Sequence, residues 1–392
     1  MSSKKDNIST IDNYFMKLAL SIARDSDGLT GENPSVGCII TSNNALISYG
    51  TTSFNGRPHA EYNALKKIKK LNQKKTVYVT MEPCTHFGKT PPCTDLIIKS
   101  KIDRLVYSVE DADIRTKNKA FKILRSHGIK VKRSVLKKKV KEFYKRYFFS
   151  KKRSMPYVVG KIACSKDKFI INKKEKYITN KHSLNISHLL RYRNQGILVS
   201  YKTINNDNPS LDCRINGLQQ FSPKRFILDR NLKSKINSKI FNDNLKNKTY
   251  ILHSSKNLKK KNQFQKKKIN LIRIKIDDNN NLNLKDALSK IYKKKVNSLI
   301  VEGGKILTNS FLSDNLFNEF YLFRGSKNLN KEGSINIAKT LKKLSINFKK
   351  REFLDTYTEK DRLIIQMEVK ELKNELLSLA NTHDSRGQPL FS

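Results

Sequence analysis

Four residues in the early part of the chain have the types and the spacing of a catalytic metal site. His59 and Glu61 are separated by one residue, Cys84 follows Pro83, and Cys93 stands beyond a further eight residues. One imidazole and two thiolates are three protein ligands, which leave the fourth tetrahedral position of a zinc ion open to water. The spacing therefore predicts a catalytic zinc site with His59, Cys84 and Cys93 as ligands.

Glu61 completes the predicted chemistry. It stands too close to His59 in the sequence to share the metal easily, but its carboxylate would lie beside the bound water. There it could take a proton from the water and pass it to a leaving amine. His59 and Cys93 each stand at the start of a predicted helix, where the positive end of the helix dipole favours ionised ligands. The pattern is typical of a hydrolytic deaminase.

The loop between the two cysteines carries the more specific signal. Nucleobase deaminases have the signature P-C-x-x-C, whereas this loop is longer. The chain reads Asn33-Pro34-Ser35-Val36-Gly37-Cys38 and later Pro83-Cys84-Thr85-His86-Phe87-Gly88-Lys89-Thr90-Pro91-Pro92-Cys93. In these motifs, and in the order of its two halves, the chain resembles the RibD family of bifunctional riboflavin biosynthesis enzymes.

The resemblance implies what the first half does. In that family the first domain hydrolyses the ring amino group of 2,5-diamino-6-ribosylamino-4(3H)-pyrimidinone 5′-phosphate. The resemblance gives the same zinc ligands and makes Glu61 the proton shuttle. It also implies that three further residues line the pyrimidine pocket, namely Asn33, His86 and Lys89. One departure concerns the rim of this pocket, where Glu110-Asp111-Ala112-Asp113 replaces the proline-rich turn of the family.

The second half contains a weaker signal of nucleotide binding. The segment 298–304, SLIVEGG, ends a predicted strand on Gly303 and Gly304, and a predicted helix follows. Backbone N–H groups at such a helix start can bind a phosphate. No G-x-G-x-x-G motif is present, so the residues alone do not indicate a Rossmann site.

The resemblance extends to this half through a series of short motifs. They are Lys161-Ile162-Ala163-Cys164-Ser165, Tyr177-Ile178-Thr179, Thr203, Asp207-Asn208-Pro209-Ser210-Leu211, Arg214 and Val301-Glu302-Gly303-Gly304. They are similar to the RibD reductase domain, which implies an NADPH-dependent reduction of the ribosyl group to a ribityl chain. The implied cofactor contacts are Ala163, Tyr177, Thr203, Asp207, Gly304, Lys305, Ile306, Leu307, Thr308, Asn309 and Ser310. The implied substrate contacts are Arg191, Leu211, Arg214 and Glu302.

Three departures from the family pattern fall in the reductase half. Lys168 stands where the family usually has a glycine, whose backbone is more permissive. Tyr177 replaces a tryptophan and keeps an aromatic ring at that position. Arg230 replaces a small polar residue near the expected cofactor site.

Alternating strand and helix patterns predict the elements that must position these residues. Residues 12–24 have helical periodicity, and GCIIT, TVYVT and RLVYSVE read as buried strands. Seven or more strand patterns follow after residue 156, so both halves are predicted to be α/β. We expect a deaminase domain at 1–150, a reductase domain at 151–370, and a partly disordered C-terminal extension at 371–392. The resemblance implies a cytidine-deaminase-like three-layer fold followed by a dihydrofolate-reductase-like fold.

Composition bounds the class of protein and its partners. With 392 residues, two domains are expected. The chain has 80 Lys and Arg against 34 Asp and Glu, a net charge of +46, but the lysines are spread along the sequence without a single basic stripe. The expected partners are therefore small phosphorylated pyrimidines and not nucleic acid. Without a long apolar run we expect no membrane span and a cytoplasmic location, and the family resemblance suggests a homo-oligomer.

Three alternative functions stay open at this point. The charge of +46 allows a zinc-dependent RNA or nucleoside deaminase, although the long cysteine spacing and the second domain argue against it. A purely structural zinc would make the chain a basic binding module without turnover. Lys168 allows a third alternative, in which the deaminase works and the reductase half is inactive.

Overall fold

The computed structural model divides the chain into two compact α/β units, which meet in the sequence between Ser154 and Met155. The residues that it describes are 2–68, 73–88, 90–348, 352–355 and 362–366. The predicted extension at 371–392 lies outside these residues. None of the helices in the described ranges has the length and apolar content that a membrane span requires.

The first unit is built on a sheet of five strands in the order β2-β1-β3-β4-β5. Strand β1 is antiparallel to both β2 and β3, whereas β3, β4 and β5 run parallel. The strands are β1 Gly37–Ser42, β2 Ala45–Thr51, β3 Lys75–Met81, β4 Arg104–Val109 and β5 Lys130–Lys132. The helices are α1 Ser2–Arg24, α2 Ala60–Leu65, α3 Cys93–Lys99, α4 Ala120–Ser126, α5 Lys137–Phe143 and α6 Lys145–Arg153.

Two glycines allow helices to pack closely on opposite faces of this sheet. A Cβ atom on Gly37 would lie 1.9 Å from the carbonyl oxygen of Ala19 in α1, and one on Gly50 would lie 2.5 Å from that of Ala60 in α2. Gly50 pairs with Cys38, the residue after Gly37, so the two glycines face opposite sides of the sheet. The unit therefore has three layers, with α1 on one face and α2 on the other.

The second unit contains a sheet of nine strands in the order β11-β10-β9-β8-β12-β6-β13-β16-β15. The first seven strands in this order are parallel. The last two extend one edge of the sheet, and each is antiparallel to the strand before it. Strands β7 and β14 form a separate antiparallel pair. The strands are β6 Tyr157–Cys164, β7 Phe169–Asn172, β8 Gly196–Ser200, β9 Lys224–Leu228, β10 Thr249–His253, β11 Asn270–Arg273, β12 Ser298–Glu302, β13 Glu319–Arg324, β14 Gly333–Asn336, β15 Glu352–Asp355 and β16 Arg362–Gln366. The helices are α7 Lys181–Tyr192, α8 Tyr201–Asp207, α9 Leu258–Lys266, α10 Leu284–Lys293, α11 Lys305–Ser313 and α12 Ala338–Asn347.

A buried carboxylate ties the first helix to the parallel part of the first sheet. The side chain of Asp12 is 1% exposed and accepts two hydrogen bonds from Arg104, at 2.8 and 2.7 Å, and one from Lys132 at 2.7 Å. Tyr78 donates a further hydrogen bond at 3.1 Å. Burial alone would raise the pKa of Asp12, but the hydrogen bonds from the two cations outweigh it and hold the pKa below its ordinary value of 3.8.

We expect Asp12→Asn to destabilise the first unit by about 2 kcal/mol, because two cations lose the charge that they pair with. Urea unfolding at neutral pH measures this difference.

Since the carboxylate has a lowered pKa in the folded state, its contribution to stability is present above pH 3.8 and is lost as the pH falls through that lowered value. The difference between the wild type and the variant should therefore shrink in acid. Glu142→Gln, which removes a surface partner of Lys145, is the control and should change stability by less than about 0.5 kcal/mol. Equal stability of Asp12→Asn and the wild type would contradict the role of this pair.

Candidate active sites

The three predicted zinc ligands meet in the first unit. His59 is the residue that precedes α2, and Cys93 is the first residue of α3, as the sequence predicts. Cys84 stands three residues beyond the end of β3. Two helix starts and one strand end thus bring an imidazole and two thiols to one point.

The distances among these atoms fit a zinc ion. The Nδ1 atom of His59 lies 3.3 Å from the sulfur of Cys93 and 3.5 Å from that of Cys84. All three donor atoms lie within 4.8 Å of one another. Tetrahedral coordination with ordinary zinc bond lengths would place nitrogen and sulfur about 3.5 Å apart and the two sulfurs about 3.8 Å apart. Three ligands converge without a fourth among the described residues, as a catalytic site requires.

The surroundings of Cys84 favour an ionised thiol, whereas the hydrogen bond with Cys84 and burial raise the pKa of Cys93. A hydrogen bond from the Cys93 side chain lowers the pKa of Cys84 to about 4, and the nearby His59 contributes to this shift. The backbone N–H of Cys93 also donates to the sulfur of Cys84 at 3.3 Å. A thiolate is the form of cysteine that binds a metal.

Glu61 is positioned to handle protons. It is the second residue of α2, the helix that directly follows the predicted ligand His59, and it is only 4% exposed. Burial raises the pKa of its carboxyl group to about 7. A carboxyl group with such a pKa can both accept and release a proton near neutral pH.

Two of the predicted pocket residues, Asn33 and His86, are held by contacts to neighbouring loops. The amide nitrogen of Asn33 donates to the carbonyl oxygen of Gly56 at 2.9 Å, in the loop that leads to His59. The Nδ1 atom of His86 lies 3.1 Å from the hydroxyl oxygen of Thr116. Lys89 lies outside the described residues. The substrate contacts of all three stay predictions.

The predicted reductase residues gather at the carboxyl ends of parallel strands in the second unit. Ala163 is near the end of β6, and Glu302 ends β12. Thr203 and Asp207 lie in α8, directly after β8. Gly304 precedes α11, whose first six residues are predicted cofactor contacts, and Tyr177 lies between β7 and α7. Ligands of open parallel α/β sheets bind at this edge.

A buried ion pair joins two of the predicted substrate-binding residues, Arg191 and Glu302, and a further hydrogen bond ties them to the loop that carries the other two. Arg191 donates from Nε and Nη2 to the two carboxylate oxygens of Glu302, at 2.7 and 2.9 Å, and from Nη1 to the carbonyl oxygen of Asp212 at 3.0 Å. Asp212 lies between Leu211 and Cys213 in the loop that also carries Arg214. Burial raises the pKa of Glu302, but Arg191 outweighs this effect and lowers it to about 2. Glu302 is therefore a carboxylate at neutral pH.

The pairing changes what Arg191 can do. Three of its donors are engaged within the protein. Arg214 has a side chain that is 56% exposed and one ion-pair contact, from Nε to the carboxylate of Asp212 at 3.4 Å, so it is the more available cation for a phosphate. Leu211 is buried and has a positive φ of 55°, so its side chain contributes to the shape of this loop. The substrate contacts of Arg191, Leu211, Arg214 and Glu302 stay predictions.

Sequence reasoning assigned no role to two groups beside this ion pair. Lys161 in β6 pairs in register with Glu302 in β12, and burial lowers the pKa of its ammonium group. His188 in α7 lies with Nδ1 3.3 Å from the backbone nitrogen of Arg214, and burial lowers its pKa to about 4. Lys161 lies within a buried strand pattern, so the sequence did contain a signal that it has a special role. His188 is not part of any recognisable motif.

The cofactor residues present a surface that suits a dinucleotide. A Cβ atom on Gly304 would meet only Ile170, at 3.9 Å, so the backbone at the start of α11 is accessible to a phosphate. Tyr177 is 44% exposed and offers an aromatic face. Leu307 and Thr308 are buried, so their side chains face the core and only their backbone could serve the cofactor. The individual contacts of these residues stay predictions.

Two of the departures from the family pattern have a visible structural outcome. Lys168 has a positive φ of 72°, so the turn keeps the left-handed conformation that a glycine would adopt more easily. Arg230 donates hydrogen bonds to Asn280, which ties it to a neighbouring turn. The turn at Lys168 is also held by Asp167, which accepts from the backbone nitrogen of Asn330 at 2.8 Å.

Comparisons with known proteins match both units. Residues 9–109 match the family model described as the cytidine and deoxycytidylate deaminase zinc-binding region, and residues 156–352 match the RibD C-terminal domain. The chain is 32% identical over 352 residues to the riboflavin biosynthesis protein RibD of Aquifex aeolicus, covering 88% of this chain and 97% of the relative.

Two further relatives have the same arrangement or part of it. A solved structure from Thermotoga maritima, a diaminohydroxyphosphoribosylaminopyrimidine deaminase/5-amino-6-(5-phosphoribosylamino)uracil reductase, is 27% identical with a TM-score of 0.76, covering 92% of this chain and 99% of that chain. The diaminohydroxyphosphoribosylamino-pyrimidine deaminase of Buchnera aphidicola is 40% identical over 145 residues, which are 37% of this chain and 99% of the relative.

The folds and the sites together define a class of protein, a zinc-dependent deaminase joined to an NADPH-dependent reductase. Within that class, the chain belongs to the RibD family of bifunctional riboflavin biosynthesis enzymes. The predicted cytidine-deaminase-like and dihydrofolate-reductase-like folds and the predicted cofactors, zinc and NADPH, are thereby confirmed. The alternatives of an RNA deaminase, a non-enzymatic module and an inactive reductase half are not favoured, because the relatives match both halves as enzymes.

We expect Cys84→Ala to lose the zinc of the purified protein, because two remaining ligands hold the ion far more weakly than three. Elemental analysis by mass spectrometry should find one zinc per wild-type chain and almost none in the variant. Cys38→Ala is the matched control, since Cys38 is a buried cysteine of the same unit outside the ligand cluster. Full zinc content in Cys84→Ala would show that this ligand assignment is wrong.

Proposed function

We propose that this chain catalyses two consecutive reactions of riboflavin biosynthesis. The first is the deamination of 2,5-diamino-6-ribosylamino-4(3H)-pyrimidinone 5′-phosphate, and the second is the NADPH-dependent reduction of the resulting ribosylamino uracil to its ribityl form. The observation that carries the proposal is the cluster of the three metal-binding residues His59, Cys84 and Cys93 beside the buried carboxyl group of Glu61. The relative from Thermotoga maritima is named for the same pair of activities.

Glu61 is the residue that we assign to proton transfer in the first reaction. Bound zinc supplies Lewis acidity, which makes a water molecule a better nucleophile at neutral pH. Glu61 accepts a proton from the attacking water and delivers it to the departing ring amine. The C–N bond breaks, ammonia leaves, and a carbonyl group remains on the ring. The pKa of Glu61, raised to about 7, suits both halves of this transfer.

Three residues orient the pyrimidine in this proposal. Asn33 offers its side-chain oxygen to the pyrimidine ring, because its side-chain nitrogen donates a hydrogen bond to the carbonyl oxygen of Gly56. His86 and Lys89 stand between the two cysteine ligands in the sequence, and we assign both to contacts with the reacting ring. Asn33, His86 and Lys89 together recognise the ring and its substituents.

In the second reaction, hydride passes from NADPH to the anomeric carbon of the ribosyl group. The ring C–O bond opens, the ring oxygen takes up a proton to become a hydroxyl group, and the carbon gains the hydride. We assign the proton to Lys161, because burial lowers its pKa and it lies beside Glu302 at the carboxyl edge. Glu302, held as a carboxylate by Arg191, binds sugar hydroxyl groups.

Phosphate recognition in the reductase site is assigned to Arg214. Its exposed guanidinium can form charge-assisted hydrogen bonds to the 5′-phosphate of the sugar. Arg191 contributes indirectly, because it holds both Glu302 and the carbonyl oxygen of Asp212 in the loop of Arg214. The cofactor binds along Ala163, Tyr177, Thr203, Asp207 and the segment 304–310, with a phosphate at the start of α11.

Three finer points belong to the same proposal. The deaminase corresponds to the span 1–150 and the reductase to the span 151–370. A cytoplasmic location is supported by the five cysteines, which form no disulfide bonds among the described residues, as is typical of a reducing compartment. A homo-oligomeric state rests on the family resemblance alone.

We expect Glu61→Gln to reduce ammonia release from the diaminopyrimidine substrate by about a thousandfold, because the amide cannot carry the proton. Its zinc content, and its oxidation of NADPH with the deaminated intermediate supplied directly, should stay at the wild-type level. Glu142→Gln, a change of a surface glutamate in the same unit, serves as the control. Wild-type ammonia release by Glu61→Gln would contradict the assignment.

We expect Arg214→Met to raise the KM of the reductase for its phosphorylated intermediate at least about tenfold, because a charge-assisted hydrogen bond to the phosphate is lost. The KM for NADPH should not change. The dephosphorylated intermediate provides the control, since the variant and the wild type should reduce it equally well. If the variant also keeps its KM for the phosphorylated form, Arg214 does not bind the phosphate.

A further inference from the structure

The pocket residue His86 makes a contact that the family pattern does not explain. Its Nδ1 atom lies 3.1 Å from the hydroxyl oxygen of Thr116, in the loop 110–119 that follows β4, here called the rim loop. The same hydroxyl oxygen accepts the backbone N–H of Thr85 at 3.5 Å. The Thr85 hydroxyl in turn donates to the carbonyl oxygen of Arg115 at 3.0 Å. The rim loop and the loop between the zinc ligands are thus joined at His86.

The direction of the hydrogen bond to His86 follows from the other partners of Thr116. This residue is fully buried, and its hydroxyl oxygen already accepts the N–H of Thr85. Among the described residues, the ring nitrogen of His86 is the acceptor within reach of the hydroxyl proton. If the imidazole donated instead, a buried hydroxyl proton would have no acceptor, which is costly. The hydroxyl therefore donates to Nδ1.

A carboxylate next to the zinc ligands holds the rim loop in place. Glu82 is only 3% exposed and stands two residues before Cys84. Its two oxygens accept three backbone N–H groups of the loop and of the helix start behind it, from Asp111 at 3.3 Å, Asn118 at 3.0 Å and Ala120 at 3.1 Å. The hydroxyl that contacts His86 is therefore anchored to the same strand end that carries a zinc ligand.

We propose that Thr116 is a positioning residue that fixes His86 as the tautomer with its proton on Nε2. With Nδ1 accepting from Thr116, the ring N–H of this tautomer lies on the other ring nitrogen, Nε2. His86 then donates a hydrogen bond into the pocket, and the deaminase favours a substrate with an acceptor there, such as a pyrimidinone carbonyl oxygen. The consequence for catalysis rests on the proposed function, in which His86 lines the pocket.

Nitrogen NMR of the zinc-loaded full chain with 15N-labelled histidine tests the tautomer. The resonances of His86 are assigned by their loss in His86→Gln. We expect the wild type to show the proton on Nε2. We expect Thr116→Val, which replaces the hydroxyl with a methyl group of similar size, to shift His86 towards a mixture of tautomers. Thr116→Ser keeps the hydroxyl and should keep the wild-type spectrum. Zinc content and the melting temperature establish that each variant is folded, and Thr116→Ala replaces the valine variant if that one does not fold.

Kinetics of ammonia release provide the second readout. We expect Thr116→Val to lower kcat/KM for the diaminopyrimidine about tenfold, the factor that one hydrogen bond is worth, while Thr116→Ser keeps it. A wild-type His86 with its proton on Nδ1, or a Thr116→Val variant with an unchanged tautomer, would overturn the proposal. If the tautomer changes in Thr116→Val but His86→Ala deaminates at the wild-type rate, the tautomer assignment stands and the placement of His86 in the pocket is wrong.

Discussion

The convergence of His59, Cys84 and Cys93 is the constraint on which the first unit depends. Their donor atoms lie within 4.8 Å of one another although they come from two helix starts and one strand end. This requires α2 to lie close to the sheet, and the missing side chain of Gly50 permits that approach. A zinc ion binds its nitrogen and sulfur ligands at about 2.0 to 2.3 Å. A small displacement of α2 or α3 would therefore weaken zinc binding. Buried Glu61 lies in α2, so the same packing positions the residue that we propose as the proton shuttle.

A different arrangement serves the same purpose in the second unit. Its parallel strands end at one edge, where the last residues of β6 and β12 and the helices α8 and α11 carry most of the residues assigned to the cofactor, together with Glu302. The ion pair between Arg191 and Glu302 joins α7 to the end of β12, and the third donor of Arg191 adds the loop at Asp212. Because both partners are largely buried, loss of either would leave an uncompensated charge in the site.

The sequence was informative where short spacing determines chemistry. The zinc ligands, Glu61 and the strand-helix alternation could be predicted, because short motifs such as H-A-E and P-C-x8-C, and the apolar spacing within single elements, are recognisable without knowing which distant segments meet. Contacts between distant segments could not. Arg191 meets Glu302 across 111 residues, and His86 meets Thr116 across 30, so neither pair has a local pattern. Strand β2 was also missed, because it is an edge strand with several exposed positions and lacks a continuous apolar run. The charge of +46 suggested nucleic acid, yet both reactions need only a few cations at defined places.

The central claim is that one chain performs both reactions in sequence. The most direct measurement supplies the purified zinc-loaded protein with the diaminopyrimidine substrate and NADPH, and follows ammonia, NADPH and the pyrimidine products together. We expect one ammonia to be released and one NADPH to be oxidised for each ribitylamino uracil formed, with ammonia appearing first. Ammonia release without NADPH oxidation, or NADPH oxidation without prior deamination, would contradict it.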